Sequence, residues 1–388
     1  MQSKKNNNHY YEFGGCMRFA TRFEYAVVAL LFSVATVLAI YLFLRTAVFG
    51  QLPEGNRLMR VEQSVNYRDG EFKNLIDTPM FSEGNNFLTV NLKSLFTISE
   101  RKTPDAPLPV VRTDLKSLPS NRDIAIWLGH SGYFIQVSGK RILIDPVFST
   151  RASPVPFGGK AFAGTTPYHV EDIPDLDYLI ITHDHYDHLD YPTIMALKNK
   201  VRLVVTGLGV GQDFIRWGYR ENQLHELDWG ESYHESGVTL HAIPARHYSG
   251  RAFERNQTLW TGYVIETPSL RMLFSGDSGY GPHYKEIANR FGGFDMVALD
   301  MGQYDPLWPY IHMTPEEASR AAEELNAKTL IPAHVARFAL ARHPWNDPFK
   351  RISRASQDKK YTLLTPRIGE PIEIGNTEQR FSIWWKEL

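Results

Sequence analysis

The 388-residue chain is predicted to be a mixed α/β protein, with helices layered over sheet, behind a single N-terminal transmembrane helix. Beyond about residue 122, apolar runs of strand length alternate with turn signals, and among them "TPEEASRAAEELNA" carries a full set of helix-start signals. Near the N-terminus, "AVVALLFSVATVLAIYLFL", from Ala26 to Leu44, is an uncharged run of about 19 residues, enough helix to cross a bilayer core of roughly 30 Å.

The membrane element comes first. A cleaved signal would have a shorter apolar core, roughly 7–15 residues, ending at a small-residue cleavage site, so an uncleaved anchor over 26–44 is expected, with 1–25 as an N-terminal tail. Lys4, Lys5, Arg18 and Arg22 precede the run and Arg45, Arg57 and Arg60 follow it. That small excess leans towards a cytoplasmic N-terminus and an extracytoplasmic C-terminal domain. Cys16 is the single cysteine, so no intramolecular disulfide can form. "FGGC" is similar to the end of a lipoprotein signal, but the apolar run follows the cysteine instead of preceding it, and lipidation is not expected.

Residues 45–121 are polar, with scattered Gly and Pro, and end in "KTPDAPLPVVRTDLKSLPSN", which reads as a linker or wrapping arm. The compact domain is placed at 122–388. Its expected strands are "IAIWL", "YFIQV", "RILID", "YLIIT", "RLVVTG", "VTLHAI", "GYVIE", "RMLFSG", "DMVALD" and "KTLIPAH". "FIQVSGKRILID" puts Ser138 and Gly139 at a hairpin turn. Thr314 is the expected helix N-cap, with Pro315 in the first turn and Glu317 closing a capping box. With 43% hydrophobic residues the chain has ample core and is not disordered. A net charge of −1 without a dense basic block argues against nucleic acid as a partner.

The chemistry concentrates in "YLIITHDHYDHLD", where a buried strand breaks into three histidines and three aspartates. Left bare, His183, His185, Asp187 and His188 would be an awkward cluster, because crowded imidazoles resist protonation and an interior carboxylate needs a partner. A cation resolves the conflict, since neutral imidazole and carboxylate are good donors to zinc and comparable metals. One loop cannot close two coordination spheres. His247 in "LHAIPARHYSGR", Asp277 in "MLFSGDSGY" and His334 in "TLIPAHVARF" each follow a strand closely and are the candidates for the rest.

"HDHYDH" meets the HxHxDH signature, and by it the chain resembles the metallo-β-lactamase superfamily. "WLGHSGYFIQV", "LIDPVFSTRASP", "PARHYSGR", "FSGDSGY", "YDPLWPYIHMTPEEA" and "IPAHVARFAL" are similar to the N-acylphosphatidylethanolamine-hydrolysing phospholipase D group and its bacterial relatives. The likeness runs from about Asp123 to Arg351. It implies an αββα sandwich with the site at one edge of the paired sheets. By the same resemblance, His183, His185 and His247 hold one divalent metal, Asp187, His188 and His334 hold a second, and Asp277 bridges them together with a water or hydroxide. The metals are expected to be zinc, with iron or manganese as alternatives. Asp187, Asp277 and His312 are the expected catalytic residues, His312 binding the phosphate or assisting the leaving group beside the capped helix.

His130 and Asp145 are expected to support ligands without binding metal themselves, Asp145 by orienting a histidine through its second nitrogen. Asp184 and Asp190 fall off the pattern. His169, His225, His234, His241, His283 and His343 have no comparable context, and Trp384 and Trp385 suit either packing or a membrane interface.

The function these features imply is a membrane-anchored, dinuclear metal phosphodiesterase of the phospholipase D type, acting on N-acylphosphatidylethanolamine-like lipids. Its expected partners are the membrane, a membrane lipid phosphodiester and, among proteins, a second copy in a homodimer. The lipid-hydrolysing relatives need no spanning helix, so alternatives stay open. One is a lactonase, thioesterase or β-lactam hydrolase using the same site, and the other is a non-catalytic, membrane-tethered regulatory protein.

Overall fold

A computed structural model of the chain describes residues 13–96, 101–386 and 388. It divides into two compact units, Met1–Phe49 and Gly50–Leu388. In the first, helix α1 spans Phe13–Leu44. Its membrane-length apolar part is Arg22–Leu44, none of whose most apolar window is buried inside the protein. The expected tail is therefore helical from Phe13 onward, because no proline interrupts the ladder between there and Leu44. The remainder of that tail, with Lys4 and Lys5, lies outside the described residues.

In the second unit, α2 (Gly55–Glu62), the two-stranded hairpin β1 (Tyr67–Arg68) and β2 (Glu71–Phe72), and α3 (Phe87–Phe96) come first. The arm read from the sequence is thus part of the compact unit from Gly50 onward. It has local structure that its irregular apolar pattern did not announce.

The first sheet contains β3 (Ile124–Trp127), β4 (Tyr133–Val137), β5 (Lys140–Ile144), β6 (Leu176–Ile181), β7 (Val201–Gly207) and β8 (Leu224–Leu227). Helices α4 (Tyr191–Leu197) and α5 (Gly211–Arg216) accompany it. The second sheet contains β9 (Ser232–Glu235), β10 (Val238–Ile243), β11 (Gly262–Glu266), β12 (Arg271–Phe274), β13 (Met296–Asp300), β14 (Thr329–Ala333) and β15 (Thr362–Leu363). It is accompanied by α6 (His283–Phe291), α7 (Pro315–Glu324) and α8 (Asp347–Ala355), while β16 (Pro371–Glu373) returns to pair with β3.

Each sheet has seven strands, ordered β16-β3-β4-β5-β6-β7-β8 and β15-β14-β13-β12-β11-β10-β9. The two are built alike. Antiparallel pairs from β16 to β5 are followed by parallel pairs from β5 to β8, and antiparallel pairs from β9 to β12 by parallel pairs from β12 to β15.

The β4–β5 hairpin turns at Ser138 (φ 50°) and Gly139 (φ 73°), the doubly positive geometry that matches strand twist. Apolar faces of the sheets meet in one core, where the rings of Tyr133 and Phe274 lie 5.2 Å apart across the sandwich. Helices α7 and α8 cover β13 and β14, and Thr314 caps α7 with Glu317 in a capping box. Trp384 and Trp385 are buried, with Trp385 stacked 5.1 Å from Phe349, so they pack in the core and the membrane-interface role is set aside. The fold is the expected αββα sandwich.

Candidate metal centre

The site follows from where the strands stop. β3, β5, β6, β10, β12 and β14 deliver His130, Asp145, the His183–His188 loop, His247, Asp277 and His334 just beyond their C-terminal ends, and Asp300 is the last residue of β13. Parallel strands aligned this way bring their following loops to one edge, where α/β sheets place ligands. Backbone strain marks the spot: His130 (φ 56°), Asp145 (φ 41°) and His334 (φ 64°) all adopt the left-handed conformation. His130 is bridged to Val335, the residue after His334: His130 N–H donates to the Val335 carbonyl at 3.1 Å, and His334 N–H donates to the His130 carbonyl at 3.2 Å.

The donor atoms converge in groups that could hold cations. His183, His185, His247 and Asp277 form one, and Asp187, His188 and His334 form another with His130. A third joins Asp277, Asp300, His312 and His334. All seven expected ligands are therefore brought together.

Asp277 sits between the groups. Its Oδ1 is 3.1 Å from His188 Nε2, while its Oδ2 is 3.4 Å from His334 Nε2, 3.6 Å from His247 Nε2 and 3.8 Å from His183 Nε2. His188 Nε2 and Asp277 Oδ1 are both buried and face each other without forming a hydrogen bond. Lone pairs aimed at a common point in this way suit a cation.

The outer nitrogens explain the aim. His247 Nδ1–H donates to the Ile311 carbonyl at 3.0 Å, and His188 Nδ1 lies 2.7 Å from Asp145 Oδ2. Asp300 receives Nδ1 of His312 at 2.7 Å on one oxygen and Nδ1 of His334 at 3.3 Å on the other. A histidine tied at Nδ1 has its tautomer set and offers Nε2 inward. His185 differs, turning Nδ1 inward to 2.8 Å from His183 Nε2.

Electrostatics also favours a cation. Burial keeps His183 and His247 well below the usual imidazole range and lowers His185 to about 4, so these rings are neutral donors. Burial opposes charge on His188 too, yet Asp277, Asp187 and Asp145 raise it well above its ordinary value. His334 is pushed up to about 10 against burial by Asp277 and Asp300. Burial likewise opposes ionisation of Asp187 and Asp277, but His188 and other neighbouring histidines hold both well below the carboxylate range. The carboxylates thus demand positive charge in a dry pocket. A divalent cation held by these residues would supply it, with His188 and His334 then in the neutral form that binds metal.

Asp145 orients a histidine as expected, and His130 braces a carboxylate, its Nε2 lying 2.8 Å from Asp187 Oδ2. Asp184 and Asp190 turn away from the centre. Asp184 accepts from Gly250 N–H at 2.7 Å and Thr258 Oγ1–H at 2.8 Å, and Asp190 accepts from Ser149 N–H at 3.2 Å and from the Thr193 hydroxyl, so both tie loops together. Asp300 was missed from the sequence. Its only signal there was an acid closing the apolar run "DMVALD".

The centre opens into a cleft of about 480 Å³, bordered by Met80, Phe81 and Val90 from the arm and by Tyr248, Trp308 and Leu340. A larger groove of about 690 Å³ lies at the opposite strand ends beside Glu266, Arg271, Asp295 and Lys328. Its charges pair with one another, Lys328 with Asp295 at 2.8 Å and Arg271 with Glu266, and it holds no metal-ligating group of the kind above among the described residues.

Comparison with known proteins agrees. Residues 140–335 match the family model described as a beta-lactamase superfamily domain. An uncharacterized Mycobacterium tuberculosis protein is 36% identical over 84% of this chain and 88% of its own length. N-acyl-phosphatidylethanolamine-hydrolyzing phospholipase D 1 of Caenorhabditis elegans is 31% identical over 70% of this chain and 82% of its own. Among solved structures, the isothiocyanate hydrolase from Delia radicum gut bacteria shares the fold, with a TM-score of 0.52 at 21% identity over 64% of this chain and 98% of that one. The chain belongs to the beta-lactamase superfamily and is a metal-dependent hydrolase of the metallo-β-lactamase fold, related to the N-acylphosphatidylethanolamine-hydrolysing phospholipases D.

Proposed function

We propose that this hydrolase is a dinuclear phosphodiesterase of the phospholipase D type, anchored in a membrane by α1 and acting on N-acylphosphatidylethanolamine-like lipids. The observation that carries the proposal is the position of Asp277, whose two oxygens face the histidines of both donor groups. His183, His185 and His247 would hold one zinc ion, Asp187, His188 and His334 the other, and Asp277 both. Two such cations supply Lewis acidity, make hydroxide available from water at neutral pH, and suit in-line displacement at phosphorus.

The chain's own groups do the rest. His312, held by Asp300 through Nδ1, is left with Nε2 for a phosphate oxygen or the leaving alkoxide. Met80, Phe81, Val90 and Leu340 line the cleft with apolar surface suited to acyl chains. The 31% identity to a phospholipase D of that specificity supports the choice of substrate.

The test is a substrate panel on wild type beside Asp277→Ala, with metal content measured on both. Wild type should cleave N-acylphosphatidylethanolamine and carry two zinc ions, and the variant should lose both properties. If wild type hydrolyses lactones, thioesters or β-lactams and leaves phosphodiesters intact, the same site serves carbonyl chemistry and the phosphodiesterase proposal falls. Resistance of the full chain to carbonate extraction from membranes tests the anchor.

A further inference from the structure

The proposed ligand His247 has no strand or helix of its own, for β10 ends at Ile243 and the loop continues to β11. Its ring is fixed by the Ile311 carbonyl, but its main chain is held by a residue 173 positions away in the arm. Asn74 Nδ2–H donates to the His247 carbonyl at 2.8 Å, and His247 N–H donates to Asn74 Oδ1 at 3.1 Å. A carboxamide closing both backbone groups of one residue does what a neighbouring strand would do. The buried Trp260 adds to the fit, donating from Nε1 to Asn74 Oδ1 at 3.2 Å and to the Ala245 carbonyl at 3.0 Å.

The stitching continues beside it. Arg246 donates from Nε to Thr78 Oγ1 at 3.0 Å and from Nη2 to the Asp77 carbonyl at 3.1 Å. On the other side, Phe72 N–H donates to the Asn256 carbonyl at 2.8 Å. The strap from Glu71 to Thr78 is therefore sewn along the loop that carries His247, with Asn74 at the ligand itself.

We propose that Asn74 is a positioning residue of the metal centre: its carboxamide clamp on the His247 backbone sets where that imidazole meets the metal. The arm thereby completes the centre from outside both sheets. This inference rests on His247 being a metal ligand, as proposed above. Alanine at position 74 leaves a buried N–H and C=O of His247 unpaired and frees the loop to move. Aspartate keeps the acceptor for His247 N–H and Trp260 but gives up the donor to the carbonyl.

The experiment uses the full chain in detergent, stripped of metal and titrated with zinc against a chromophoric chelator, with melting of the metal-free protein followed alongside. Asn74→Ala should weaken zinc at one of the two sites on the order of tenfold or more, the scale seen for groups that orient ligands. Asn74→Asp should weaken it less. Tyr67→Phe, which removes an arm hydroxyl bonded to the Gly70 carbonyl and the Gln257 side chain rather than to the ligand, should bind like wild type.

Wild-type affinity in folded Asn74→Ala would overturn the proposal, as would an equal loss in Tyr67→Phe. Where Asn74→Ala does not fold, unchanged affinity in Asn74→Asp would overturn it as well. Equal zinc binding by wild type and His247→Ala is a different outcome, because it removes the ligand assignment on which the inference stands.

Discussion

Oδ2 of Asp145 lies 2.7 Å from Nδ1 of His188, and both side chains are buried. The same carboxylate accepts from Thr182 N–H at 2.8 Å and Thr182 Oγ1–H at 2.6 Å. It therefore joins the end of β6 to the residue after β5 and turns His188 Nε2 towards Asp277. Asp145→Asn should weaken metal binding about 10–100-fold, because the imidazole loses an anionic partner. Asp145→Ala should also cost roughly 1–3 kcal/mol in denaturant unfolding, since it leaves the Thr182 donors buried and unpaired. Zinc affinity unchanged in Asp145→Asn would remove the orienting role.

His312 separates binding from chemistry. It lines the cleft, and its proposed task concerns the phosphate and not the metal. His312→Ala should retain two metals and lose about 10²–10⁴-fold in kcat, the usual weight of a positioned acid or base. Loss of one metal equivalent in this variant would instead make His312 a ligand within the group of Asp277, Asp300 and His334.

Gly302 follows β13 and lies against the loop of His334. A Cβ built there would stand 1.6 Å from the His334 carbonyl oxygen and 2.9 Å from Val335 Cγ1. Backbone cannot yield as a flexible side chain can, and His334 is already held in a left-handed conformation. Gly302→Ala should destabilise the fold by about 1–3 kcal/mol and weaken metal at the His334 site. Thermal melting with and without zinc measures both, and a variant that melts like wild type in either condition would contradict the packing argument.

Asp213 predicts a pH dependence away from the centre. Burial pushes its carboxyl up to about 7; Arg251 and the Gln51 amide pull it down, and Asp184 raises it further. The folded state therefore binds this proton more tightly than the unfolded chain. The group's contribution is fully present below about pH 4 and is lost as pH rises through about 7, with a slope of up to about 1.4 kcal/mol per unit. Asp213→Asn keeps an acceptor for Gln51 N–H and should gain stability relative to wild type from pH 5 to pH 8. Parallel denaturation curves over that range would expose the absence of any such gain.

Most of the sandwich was legible because its central strands are continuous apolar runs, and "HDHYDH" stood out because six positions carried four metal-binding side chains. β9, "SYHE", is a polar edge strand with only alternate residues partly covered, so no apolar pattern marked it. β15 and β16 are two and three residues long, too short for any period. In the arm, Asn74 was invisible for a different reason. A single carboxamide in "FKNLIDTP" acquires meaning only when folding brings it to His247. Asp184 and Asp190 were separable from Asp187 by spacing alone, but their part in tying loops together depends on Gly250, Thr258 and Ser149, which lie far off in the chain.

The centre draws on both sheets: the His183–His188 loop ends a strand of the first, while His247, Asp277 and His334 follow strands of the second. A cation there would act as a rivet through the rim of the sandwich. Its binding energy then becomes cohesion between the two halves, so stripping the metal should part the layers at that edge before it disturbs either sheet within itself.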